Sequence, residues 1–82
     1  MKYQVIASIS NENTIFETEV ARFETVNDKK LVKITKLNHT ATRGYTAKVL
    51  NGIYDAADVL QALSIESYGF QVDEVKYIVK RV

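Results

Sequence analysis

The segment Thr14–Val26, TIFETEVARFETV, determines which of two architectures this chain adopts. Phe16, Thr18 and Val20 alternate with polar residues, which is typical of a half-buried β-strand. Phe16, Val20 and Phe23 also fall at positions i, i+4 and i+7, which is the spacing of a helix face. The many Thr, Ile and Val residues favour the strand, because branching at Cβ restricts side-chain rotamers in a helix.

Alternation of apolar and polar residues with a period of two predicts four further strands. The first lies at about residues 2–10, and the others cover residues 30–37, 45–50 and 74–82. Polar segments separate the strands, since Asn and Asp side chains bond to their own backbone in turns. These predicted turns and loops are residues 11–13, 27–28, 38–44 and 51–52.

A helix is predicted at about residues 56–68. Asp55 is a favourable N-cap, because its carboxylate accepts hydrogen bonds from free N–H groups at a helix start. Gly69 suits the left-handed position that follows many helices. Between them lies an apolar stripe at helical spacing, formed by Ala56, Val59, Leu60 and Leu63.

Together these elements predict an α+β fold in one compact domain, residues 1–82. A small, mainly antiparallel sheet of about five strands packs one face on the helix, in the order β-β-β-β-α-β. If Thr14–Val26 were helical, the order would become β-α-β-β-α-β, which is the ferredoxin-like arrangement.

Composition restricts the class of protein. The chain has 82 residues, of which 46% are hydrophobic and 26% charged, so it supports one small core. It contains no Cys, which excludes disulfides and thiolate metal sites and favours a reducing, cytoplasmic setting. No apolar run approaches the roughly 18 residues of a membrane span, and the alternating first ten residues do not resemble a signal peptide.

The sequence contains no recognisable set of catalytic residues. His39 is the single histidine, and no acidic residue adjoins it. A nucleophile needs a base within hydrogen-bonding reach, and the serines lie outside any nucleophile-elbow motif. The carboxylate pairs Glu17/Glu19 and Asp73/Glu74 are typical of solvated surface, and the three glycines are too far apart for a phosphate-binding loop. We therefore expect no enzymatic activity, metal or cofactor.

Charge is segregated along the chain. Residues 1–28 carry a net charge of −3, residues 29–54 carry +6 with no acidic group, and residues 55–82 carry −2. A basic surface with an exposed aromatic ring suits RNA or single-stranded nucleic acid, because cations meet phosphates while bases stack on the ring. The predicted binding residues, in the strand-loop-strand block of residues 29–50, are Lys29, Lys30, Lys33, Lys36, Arg43, Tyr45 and Lys48.

Part of this block resembles a motif of the RNA-recognition family. Arg43, Gly44 and Tyr45 fit the first three positions of its RNP1 pattern, [KR]-G-[FY]. The resemblance implies an RNA-binding sheet surface, but it does not assign the chain to that family. The chain departs from the pattern at the next three positions, Thr46, Ala47 and Lys48.

A second hypothesis is a protein-interaction module, such as an inhibitor or adaptor that binds and neutralises a host protein. The composition, free of Cys and rich in Asn, Lys, Ile and Thr, resembles that of small bacteriophage accessory proteins. Acidic groups, Glu12 among them, can occupy a partner's nucleic-acid channel.

The basic block also has a purely structural interpretation, if Glu17, Glu19 and Glu24 pair with its lysines across a hairpin. A core this small is also compatible with a homodimer.

Overall fold

The computed structural model describes residues 1–26 and 31–82, and the predicted turn at residues 27–28 lies outside them. The described elements confirm the α+β fold, with one helix and a five-stranded antiparallel sheet. In chain order they are β1 (Lys2–Asn11), β2 (Thr14–Val26), β3 (Leu31–Leu37), α1 (Thr46–Leu63), β4 (Ser67–Val72) and β5 (Val75–Arg81).

The sheet has the strand order β3-β2-β1-β5-β4. Thr14–Val26 is a strand, so the prediction from Cβ branching is confirmed and the ferredoxin-like alternative is wrong. A β-bulge explains the helix-like spacing in this segment, because the β1–β2 register shifts at Val5/Ile6 and gives β2 an extra residue. Val20 and Ala21 are consequently both buried, although they are adjacent in a strand.

The predicted strand at residues 45–50 is wrong, because these residues begin helix α1. Their alternation is also part of a longer helical stripe, whose buried members are Val49, Ile53, Ala56, Ala57 and Leu60. The predicted turn Asn51-Gly52 lies inside the helix. The sequence carries no start signal here, since the N-cap Tyr45 makes no side-chain hydrogen bond and the first turn has no acidic residue.

The predicted helix at 56–68 overlaps α1 over residues 56–63, but its predicted start and its predicted end both lie too far along the chain. Asp55 lies within α1, and the helix ends at Leu63. Ser64 adopts the left-handed conformation at the C-cap, with its N–H donated to the Leu60 carbonyl. Gly69 is not a helix terminator but the third residue of β4, which is an edge strand of the sheet.

Helix α1 covers one face of the sheet and forms the core with it. Alternate strand residues point towards the helix, as in the stacked pair Tyr3 and Phe23, whose ring centroids are 5.0 Å apart. The opposite sheet face carries no helix in the described part of the chain, and we call it the open face. Its residues include Gln4, Ile6, Arg22, Glu24, Lys33, Gly69, Lys76, Ile78 and Lys80.

Candidate functional site

The structure places the predicted binding residues in two groups. Lys33 and Lys36 lie on β3, at one edge of the sheet. Arg43, Tyr45 and Lys48 lie at the start of α1, and Lys48 lines a groove beside β4 at the other edge. Three strands separate these edges. Two further predicted residues, Lys29 and Lys30, lie outside the described residues.

Glu19 compensates much of the charge on the β2–β3 side of the open face. Its carboxylate accepts two hydrogen bonds from Arg22, each 3.0 Å long, and one of 3.0 Å from Lys36 Nζ. The Gln4 amide also donates to it. The hydrogen bonds from Arg22, Gln4 and Lys36 lower the pKa of Glu19 to about 2, so it stays ionised throughout the neutral range.

Glu24 continues this compensation in the next transverse row of the sheet. It lies directly opposite Lys33 on β3, and its Oε1 atom is 4.0 Å from Lys2 Nζ. The cross-strand pairing with a lysine of the basic block therefore occurs for Glu19, through Lys36, whereas the ion pair of Glu24 is with Lys2, outside that block. Glu17 differs, because it faces Ser8 and is exposed.

The group at the start of α1 is built on a tight loop. The buried Thr42 hydroxyl is 2.7 Å from both the His39 carbonyl and the Thr46 hydroxyl, which fixes the chain just before the helix. Lys48 Nζ lies 5.6 Å from the centroid of the partly exposed Tyr45 ring, a cation–π contact. Arg43 and Tyr45 are not on a sheet surface, so the RNP1 resemblance has no counterpart in the fold.

Sequence reasoning missed a projecting hairpin, which we call the arm and define as residues 9–18. Here β1 and β2 continue past the sheet, because β5 pairs with β1 only as far as Ser8 and β3 pairs with β2 from Ala21 onwards. The arm accounts for the elongated shape of the molecule, 43 × 23 × 19 Å. At its end, Ile15 is 66% exposed and Phe16 is 58% exposed.

A second missed feature is the distribution of charge between strands. All carboxylates of the sheet lie on β2, whereas β1, β4 and β5 contain no Asp or Glu. These three strands are neighbours, and they carry Lys2, Lys76, Lys80 and Arg81. Lys76 and Lys80 lie on the open face and form no ion pair within residues 1–26 and 31–82. Lys2 lies on the same face and pairs with Glu24, whereas Arg81 lies on the helix side. We call this part of the surface the basic half of the open face, and the strand order is needed to recognise it.

Among residues 1–26 and 31–82, no three His, Cys, Asp or Glu side chains converge as a metal site would require. No helix in this part of the chain is both long enough and apolar enough to cross a membrane. The chain matches no protein-family model, no curated protein and no solved structure.

Proposed function

We propose that this chain is a small, cytoplasmic, non-enzymatic binding protein whose partner is another protein, engaged through the arm. The observation that carries the proposal is the exposure of Ile15 and Phe16 at the end of a projecting hairpin. A two-stranded ribbon gains little stability from its own side chains. The exposed Ile15 and Phe16 side chains are therefore available for a partner.

The arm suggests the chemistry of that partner. Ile15 pairs with Ser10 and Phe16 with Ile9, so the two apolar side chains point to opposite faces of the ribbon. Burial of each contributes about 1.5–3 kcal/mol, which favours insertion into a groove that contacts both faces. Glu12 and Glu17 are the charged residues of the arm, and it contains no Lys or Arg. The complementary groove is apolar with a basic rim.

A groove of this kind is typical of proteins that bind nucleic acid, where cations line a channel and aromatic or apolar side chains contact bases. The arm presents carboxylates where such a channel expects phosphates. An inhibitor or adaptor that occupies a partner's nucleic-acid channel is therefore the function that the arm favours.

The test is capture from a nuclease-treated lysate with tagged protein, quantified by mass spectrometry. We expect wild-type protein to retain a partner with a basic groove. Phe16→Ala should capture at least about tenfold less of that partner, as for an interface anchor. Tyr54→Ala is the matched control, because Tyr54 is an aromatic residue on α1 that is exposed to a similar degree. Equal capture by wild type and Phe16→Ala would contradict the proposal.

Nucleic-acid binding is the second candidate function, and the grouping of Arg43, Tyr45 and Lys48 at the start of α1 supports it. These residues combine two cations with a partly exposed ring, the combination that single strands require. Lys36 contributes less to this hypothesis, because Glu19 holds its ammonium group.

Titration of a labelled oligonucleotide at several salt concentrations tests the second candidate. If Arg43 and Lys48 contact phosphates, the log–log salt slope should weaken by about 0.7 for each residue changed to Gln. Lys36→Gln is the control and should leave the slope nearly unchanged. Absence of binding at low salt would contradict this function.

A further inference from the structure

We propose that the outer edge of β4 accepts an extended, acidic segment of a protein partner as an additional antiparallel or parallel strand. This site goes beyond the arm and does not depend on it, because it lies on a different strand at the edge of the sheet. Three observations carry it: an unprotected edge, a gap in the side-chain layer at Gly69, and two lysines beside that gap that form no ion pair among residues 1–26 and 31–82.

The two sheet edges differ in their protection against strand addition. Natural edge strands are usually blocked by charged residues, Pro or bulges. Edge strand β3 follows this rule, since it carries Lys33 and Lys36 and its register with β2 shifts at Arg22/Phe23. Edge strand β4, SYGFQV, has no charged residue, no Pro and an unbroken register with β5. Its outward N–H and C=O groups are therefore open to pairing.

Gly69 creates the gap above this edge. It faces Ile78 of β5 on the open face, between Ser67 and Gln71. A Cβ at Gly69 would lie 3.5 Å from Lys76 Cε, so the Lys76 side chain crosses from β5 over β4. The shallow depression at this point is lined by Ser67, Gly69, Gln71, Lys76 and Ile78, among others. A side chain of an added strand has room there and meets the Lys76 stem.

Charge determines the kind of segment that fits. Lys76 and Lys80 lie opposite Gln71 and Ser67, on either side of Gly69, and the three neighbouring strands carry no carboxylate. An added strand places every second side chain on the open face. Carboxylates at those positions would form charge-assisted hydrogen bonds with the two lysines. The favoured segment therefore alternates acidic and apolar residues.

The edge fits a polypeptide better than nucleic acid or a second copy. Backbone pairing along a strand needs regularly spaced N–H and C=O groups, which a nucleic acid lacks. The open-face positions of β1, β4 and β5 also provide no aromatic ring for base stacking. The β4 strand of a second copy would present Ser67, Gly69 and Gln71, and none of them neutralises Lys76.

Two labelled seven-residue peptides test the site, TVEVEVT and its basic counterpart TVKVKVT, together with the oligonucleotide dT10. Binding is followed by fluorescence anisotropy, and the bound edge is located by amide hydrogen exchange. We expect TVEVEVT to bind more tightly than TVKVKVT and to slow exchange in β4. Lys76→Gln should weaken the acidic peptide by about two- to fivefold, the effect of one solvent-exposed ion pair.

Gln71→Glu places a negative charge beside Lys76, which neutralises the lysine and repels the peptide carboxylates, so it should weaken binding of the acidic peptide. Lys36→Gln at the other edge should not change that binding. Equal binding of the two peptides, or protection of β3 instead of β4, would overturn the proposal. So would equal binding of dT10, or concentration-dependent self-association that protects β4 without peptide. Phe16→Ala should leave peptide binding unchanged, so failure at this edge is distinguishable from failure of the arm.

Discussion

Replacing Phe23 by alanine is expected to lower the free energy of unfolding by about 3–5 kcal/mol. Phe23 is only 1% exposed and its ring stacks on Tyr3, so truncation removes apolar burial and leaves a cavity at the centre of the sheet. Domains of this size have total stabilities of about 4–12 kcal/mol. We therefore expect Phe23→Ala to be largely or partly unfolded at 37 °C, as measured by urea denaturation followed by circular dichroism.

Phe16→Ala is the matched control, because it makes the same chemical change on the same strand. Phe16 is exposed on the arm, so its truncation should change the free energy of unfolding by less than about 0.5 kcal/mol. A large loss in Phe16→Ala would show that the arm packs on the core and is not available to a partner. The expected result separates the two aromatic residues of β2 into a structural residue and a binding residue.

Local patterns predict much of this fold, and their failures have physical causes. Alternation and Cβ branching predict β2 correctly, although the bulge at Val20 imitates a helical period. The start of α1 is missed because the Tyr45 N-cap makes no side-chain hydrogen bond, while Asp55 imitates a cap ten residues later. Once the helix is displaced, Gly69 is taken as its terminator, and the predicted helix includes Ser67 and Tyr68, the first two residues of β4.

The candidate site is less predictable, because it depends on which strands are neighbours. The basic block is continuous in sequence, but the fold sends Lys36 to Glu19 and Lys48 to the opposite side of the sheet. The residues of the basic half of the open face are, conversely, close in space but far apart in sequence. Its members Lys2, Lys76 and Lys80 come from both ends of the chain, and the long-range pairing of β1 with β5 brings them together.

Gly52→Ala is expected to destabilise the protein by about 1–3 kcal/mol, against the usual trend for helices. An alanine inside a helix is normally more stable than glycine by about 0.5–1 kcal/mol, because glycine loses more backbone entropy. Here a Cβ would overlap the Phe70 ring, lying 2.8 Å from its Cζ atom. That ring also stacks on Tyr77, with the centroids 5.2 Å apart, so a shift of the ring away from the new Cβ disturbs this stack.

Chemical denaturation of three variants checks this prediction. Asn51→Ala, at the exposed neighbouring position, should stabilise the helix by about 0.5 kcal/mol. This variant measures the effect of helix propensity alone, without the overlap with Phe70. Phe70→Leu combined with Gly52→Ala should recover part of the loss, since a smaller side chain relieves the overlap. If Gly52→Ala were as stabilising as Asn51→Ala, Phe70 would not be lodged against the helix. The position of β4, and with it the edge that accepts a partner strand, depends on that contact.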